Sequence, residues 1–196
     1  GMVQTIMADF PEFLPNTYDQ YYLYPDYKVS HLDPNFTRAD EVMAGREKRV
    51  FTECAEVIKE GKLGDKFHAI SDAHAEMMIK VAEAIAYNKN DRHILIVENN
   101  GAIANMQDDA MVEVVCELGI NGPRPMRVGN IPQFNLGLLV NQVSCEKLIV
   151  DAYFENSYQK ALEAFTLNRL INDAKKARKV LDALIEANKG MWPELR

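Results

Sequence analysis

A chain of 196 residues is long enough for one sizeable core and does not require two. Its 47% apolar and 26% charged residues are ordinary globular usage, which argues against disordered and coiled-coil classes. A formal net charge of −7 argues against DNA or RNA as partner, because affinity for those backbones rests on Lys and Arg, yet it leaves room for one local phosphate pocket.

In chain order, Gly1 ahead of Met2 reads as a leftover of expression and is set aside. The stretch to Lys28 is dense in tyrosine, with Tyr18, Tyr21, Tyr22, Tyr24 and Tyr27 punctuated by Pro11, Pro15 and Pro25. Asn16 or Thr17 is placed to cap a short helix that Pro25 would stop. Thr37 reads as the N-cap of a longer helix, with Asp40 and Glu41 suited to its first turn and Gly61 to its end. A second helix is predicted from Ser71 to near Asn88, with Met77, Met78, Val81, Ala84 and Ile85 as a buried stripe. The apolar run from His93 to Val97 predicts a fully buried strand. Asn99-Asn100-Gly101 is a turn signal. Residues 111–118 predict a second strand. Asn121-Gly122-Pro123 is expected not to continue one, and residues 126–128 are expected to add a short third. From Gln133 the pattern is helical, in segments ending near Phe154, Leu167 and Asn188. Leu138, Leu139, Gln142, Val143, Leu148 and Ile149 give the first a broad apolar face. Val180, Leu181, Leu184 and Ile185 are expected to face inward on the last. Helices, a few strands, then helices make an α+β class rather than an alternating βαβ chain.

The chemistry-bearing residues are sparse. No glycine-rich phosphate loop of either standard spacing occurs, no G-x-S-x-G and no H-E-x-x-H. The cysteines Cys54, Cys116 and Cys145 have no metal-site spacing and read as reduced thiols of a cytoplasmic protein. No charged-then-apolar leader opens the chain, and no apolar run approaches the length of about 18 residues that a membrane span needs. His31 and Asp33 could share an ion but read first as loop residues. His68, His74 and His93 share no ligand spacing. Tyr18 and Arg38 fall near the starts of two predicted helices. A helix N-terminus favours an anion, and an arginine adds a fork suited to phosphate. On composition alone, Arg38 still reads first as a surface side chain and Tyr18 as a packed aromatic.

Five strings change that weighting. PNTYDQYYLYPDY (15–27), TRADEVMAGREKRVF (37–51), IVENNGAIANMQDDAMVEVVC (96–116), NGPRPMRVGNIPQFNLGLL (121–139) and ANKGMWPEL (187–195) occur in this order. Together they resemble the C-terminal domain of glycoside hydrolase family 4, and most closely its 6-phospho-α-glucosidases. The resemblance implies one domain over residues 2–196. Its fold would be like the C-terminal domain of lactate dehydrogenase and the family 4 glycosidases: mostly helical with a small mixed sheet, and without the N-terminal Rossmann domain. It implies NAD and a divalent metal, usually manganese, in the full-length enzyme. The expected substrates are 6-phospho-glucosides such as maltose 6-phosphate.

The implied route is oxidation at carbon three by NAD, elimination across carbons two and one, addition of water, and return of the hydride. Tyr18, in PNTY, matches the family's catalytic tyrosine, which removes the carbon-two proton. Arg38, in TRA, matches the arginine that holds the 6-phosphate. A tyrosine hydroxyl ionises near about pH 10 in water, so a tyrosine base needs positive charge close by. The cofactor-binding and metal-ligating motifs of the family lie N-terminal to all of this. No metal or cofactor role is therefore carried onto any residue here, and the chain alone is expected to be inactive. NNGAI (99–103) is expected to serve the scaffold. Expected partners are the 6-phospho-sugar, a second copy in a homodimer and a separate N-terminal half, with neither nucleic acid nor membrane. The alternative is a non-catalytic remnant that dimerises or binds a sugar phosphate.

Overall fold

A computed structural model describes residues 1–62, 73–171 and 173–196. The elements are α1 (Met2–Asp9), α2 (Asp19–Leu23), α3 (Pro25–Ser30), α4 (Arg38–Glu60), α5 (Ala73–Ala86), β1 (Asp91–Glu98), β2 (Met111–Gly119), β3 (Gly122–Pro125), α6 (Gln133–Glu155), α7 (Tyr158–Leu167) and α8 (Ala174–Ala187). They form two compact units: Gly1–Leu23, Ile94–Cys116 and Pro123–Arg196 in one, Tyr24–His93 and Glu117–Gly122 in the other.

Local signals set most boundaries. Thr37 accepts a hydrogen bond from the Asp40 N–H, and the Asp40 carboxylate accepts from the Thr37 N–H, a reciprocal cap that starts α4. Gly61, at φ 67°, ends it in the left-handed region. Asn156 does the same for α6 at φ 54°, and the Ser157 hydroxyl then caps α7. Asp173 caps α8 through the Lys176 N–H. Pro25 both stops α2 and opens α3, because a helix's first N–H needs no internal partner. The helix α1 was not among the sequence expectations, and the Ser71 start expected for α5 lies outside the described residues.

The sheet has the order β1-β2-β3. The Asn99 and Asn100 N–H groups donate to the Ala110 and Asp108 carbonyls, so β1 and β2 run antiparallel. A lone parallel bridge joins Ile103 to Gly129 outside the strands. Three expectations for the sheet need correction. Residues 126–128 form no strand, since β3 ends at Pro125. The run from His93 to Val97 is not fully buried: Leu95 and Val97 pack inward while Ile94 and Ile96 stand exposed, because only one face of the sheet is covered. And Gly122-Pro123 does continue a strand. β3 is an outer strand, where proline is tolerated, and the Met126 N–H donates to the Val115 carbonyl just beyond it.

Within the first unit, Ala102, Ile103, Val112, Val114, Cys116 and Val143 anchor one apolar core. The core is organised around Asn99, which is wholly buried. Its Oδ1 accepts from the Ile103 N–H at 2.7 Å, and its Nδ2 donates to the carbonyls of Ile103, Met106 and Gln107 at 3.0, 3.2 and 3.0 Å. This is the scaffold role expected of NNGAI. A second core gathers Ala152, Ala161 and Leu181 where α7 packs between α6 and α8. On α8, Ala177 and Leu181 are the buried positions, while Val180 and Leu184 are exposed. Phe10, after α1, stacks on Phe134 of α6 at 5.0 Å between ring centroids.

In the second unit, Ala84 and Leu118 are buried. Asn88 at φ 51° and Asn90 at φ 56° bring their amide oxygens over Gly119, and Asn88 Oδ1 accepts from the Ile120 N–H at 3.0 Å. Of the stripe expected on α5, Ala84 alone is buried: Met77, Met78 and Ile85 are exposed and Val81 is half-buried. None of α4 is buried either. These faces are apolar by sequence, but none of the described residues of their own unit buries them.

Candidate functional site

The segment carrying Tyr18 is held at its backbone. Asn16 Oδ1 accepts from the N–H groups of Tyr18 and Asp19 at 2.7 and 3.2 Å, and the Asn16 N–H donates to Asp19 Oδ2 at 2.8 Å. Asparagine suits this position because its short side chain reaches its own backbone two residues on. Tyr18 therefore sits at the mouth of α2 with its main chain fixed, while the residue is 69% exposed and its ring lies tilted beside that of Tyr21, at 6.4 Å between centroids. It is not the packed aromatic that composition alone suggests.

The far end of α2 is held from a distance. Arg169, between α7 and α8, donates from Nε and Nη2 to the Tyr22 carbonyl at 3.3 and 3.1 Å. Beside this contact lies a cavity of about 330 Å³, lined by Phe13, Asp19, Tyr22, Asn141, Gln142 and Arg169 among others. Sequence reasoning missed Arg169, and no signal in the sequence links two residues 147 positions apart.

Arg38 belongs to the other unit, and each residue is described in its own. Arg38 opens α4, and its Nη1 pairs with Glu41 Oε2 at 2.5 Å, both side chains being well exposed. Asp40 is held below the usual carboxylate value by hydrogen bonds from the Thr37 side chain and backbone. The start of α4 thus offers the arginine and helix dipole that an anion wants, with Glu41 as the competitor it must displace.

The remaining candidates have local roles. His31 Nδ1 lies 2.8 Å from the Tyr27 carbonyl and 3.0 Å from Ser30 Oγ, and its ring rests on Tyr27. Asp33 accepts from the Asn35 N–H. His74 lies on exposed α5, His93 in β1, and His68 lies outside the described residues. Cys116 and Cys145 are buried, which pushes both thiols up, and Cys54 is exposed. Among the described residues, no three His, Cys, Asp or Glu side chains gather as a metal set, and no helix is long and apolar enough to cross a membrane.

Comparison with known proteins gives this geometry a context. Residues 1–171 match the model of the family 4 glycosyl hydrolase C-terminal domain. A maltose-6'-phosphate glucosidase of Fusobacterium mortiferum is 50% identical over 192 residues, which are 97% of this chain and 43% of that relative. A crystal structure of a 6-phospho-alpha-glucosidase from gut microorganisms, in complex with NAD and Mn2+, is 81% identical and superposes with a TM-score of 0.93, over all of this chain and 44% of that one. A second such enzyme from gut microorganisms, in complex with NAD and glucose-6-phosphate, is 47% identical with a TM-score of 0.92, again over all of this chain and 44% of the other. The chain thus spans less than half the length of the relatives it matches.

Proposed function

Because the chain belongs to the family 4 glycosyl hydrolases, whose C-terminal domain it matches, we propose that it forms the substrate-side part of a 6-phospho-α-glucosidase acting on 6-phospho-glucosides such as maltose 6-phosphate. The observation that carries this reading is the high identity, across essentially the whole chain, with enzymes of that specificity. Residues 2–196 act in it as one domain. The complete enzyme uses NAD and manganese, as its structural relatives suggest. The residues described here fit neither group: no metal set gathers among them, and the strand order β1-β2-β3 with no glycine-rich turn is not a dinucleotide-binding unit. Among the described residues, the chemistry is assigned to Tyr18 and Arg38.

Arg38 forks onto the 6-phosphate, giving up Glu41 as it does so. The phosphate anchors the sugar, and Tyr18 takes the proton from carbon two during the elimination that releases the glycosidic oxygen. The fixed backbone and exposed ring of Tyr18 support this role. In the complete enzyme, Tyr18→Phe should abolish exchange of the carbon-two proton with solvent deuterium. Retained exchange would assign the base to another group. The chain by itself, given a chromogenic 6-phospho-α-glucoside, NAD, manganese and a thiol, should show no turnover until a separate N-terminal half is added. Glucose 6-phosphate binding with no turnover even then would favour a sugar-phosphate-binding remnant.

The exposed apolar side chains Ile149, Val150, Tyr153 and Phe154 on α6 support a two-fold homodimer, to be tested by light scattering. The free cysteines support a cytoplasmic, reducing location.

A further inference from the structure

We propose that Arg169 is a positioning residue for Tyr18, acting through the C-terminal end of α2. The proposal rests on the reading of Tyr18 as the base. Five residues are too few for a helix to hold itself, since nucleation is costly and its last carbonyls have no internal partner. Both ends of α2 are therefore held by side chains. Asn16 and Asp19 close the N-terminal end, and the Arg169 guanidinium closes the other with two hydrogen bonds to one carbonyl. A cation there also complements the helix dipole.

The arginine is itself anchored. Asn141 of α6 donates from Nδ2 to the Leu167 carbonyl at 3.2 Å, and Asn168 Oδ1 accepts from the Leu170 N–H at 2.9 Å. The chain of contacts runs from α6 through the α7–α8 connection and Arg169 to α2, and so to Tyr18. Because the Tyr18 ring is mostly exposed, its placement comes from its backbone rather than from a packed pocket. A change in the pitch of α2 would move the hydroxyl directly.

The test uses the complete enzyme with Arg169→Ala, Arg169→Lys and Tyr18→Phe, each read for carbon-two exchange, kcat, and KM for the phospho-sugar. A displacement of the base by an ångström is worth a loss of about 100-fold. We expect Arg169→Ala to lower exchange and kcat together by that order, with KM little changed because Arg38 is untouched. Arg169→Lys, able to make one bond where Arg makes two, should recover part of the loss. Should the alanine variant fail to fold, an exchange rate for the lysine variant below wild type at unchanged KM carries the same conclusion. Exchange undisturbed in Arg169→Ala, or in Arg169→Lys where only that variant folds, would overturn the proposal. So would a parallel rise in KM that lysine does not relieve, which marks general damage. Loss of exchange in Tyr18→Phe but not in the Arg169 variants overturns only the clamp. Exchange retained in Tyr18→Phe removes the base and the clamp together.

Discussion

Replacing Asn99 by alanine isolates the polar keystone of the first unit. The substitution removes one acceptor and the donors that serve three carbonyls, but the damage is uneven. The Ile103 carbonyl still accepts from the Met106 N–H, and the Gln107 carbonyl from the Ala110 N–H. The groups left bare are the Ile103 N–H and the Met106 carbonyl. An unsatisfied buried group costs about 1–3 kcal/mol, so Asn99→Ala should lose about 2–6 kcal/mol, a large share of the roughly 5–15 kcal/mol that holds a domain together. At about 2–4 °C per kcal/mol for a chain of this size, the melting temperature should fall by roughly 5–20 °C. Circular dichroism melts of the chain would read it, with Asn130→Ala, at an exposed position, as control. Asn99→Asp refines the test. Burial and the three facing carbonyls should raise the new carboxyl above its unfolded value. Its penalty should then be smallest at acid pH, where the protonated carboxyl donates, and grow as pH rises. A melting shift below about 2 °C in Asn99→Ala would refute the reasoning, since it would put the bare groups back in contact with water.

Three further outcomes are expected. Gly119→Ala would put a Cβ 2.6 and 2.7 Å from the amide oxygens of Asn88 and Asn90, so it should cost about 1–3 kcal/mol in a urea titration. The Asp40 carboxyl is held low in the folded chain by Thr37, so its contribution is present above its ordinary value and is lost as pH falls through the lowered one. An acid titration followed by NMR should show the first turn of α4 loosening there, and Asp40→Asn should remove that dependence. Glu41→Gln should remove the ion pair that competes for Arg38 and tighten glucose 6-phosphate binding by about two- to fivefold, the scale of an exposed ion pair, as read by calorimetry.

Where local chemistry decides, the sequence could be read closely. Thr37 and Gly61 bound α4, Asn156-Ser157 separates α6 from α7, and Asn16 caps α2. Each is a side chain acting on a backbone within a few residues. What could not be read was which apolar side chains find cover. Met77 and Met78 on α5, and Ile94 and Ile96 on β1, follow the patterns of buried positions yet stand exposed. Periodicity reports that a face is apolar but does not report what lies against it. The proposed site divides in the same way. Tyr18 and Arg38 were reachable through the motifs around them, whereas Arg169 depends on a contact that only the folded chain makes.

Pro123 and Pro125 have a consequence for how the sheet ends. Since the Met126 N–H points at β2, alternate positions along β3 face the same way, and the two prolines fall on the positions whose N–H would face outward. That rim therefore presents carbonyls with no donors between them. An extended segment from another molecule approaching there would find half of its hydrogen-bonding pattern unanswered, so this side of the sheet resists recruitment into an intermolecular β-assembly. A chain with this many uncovered apolar side chains has reason to keep such a rim closed.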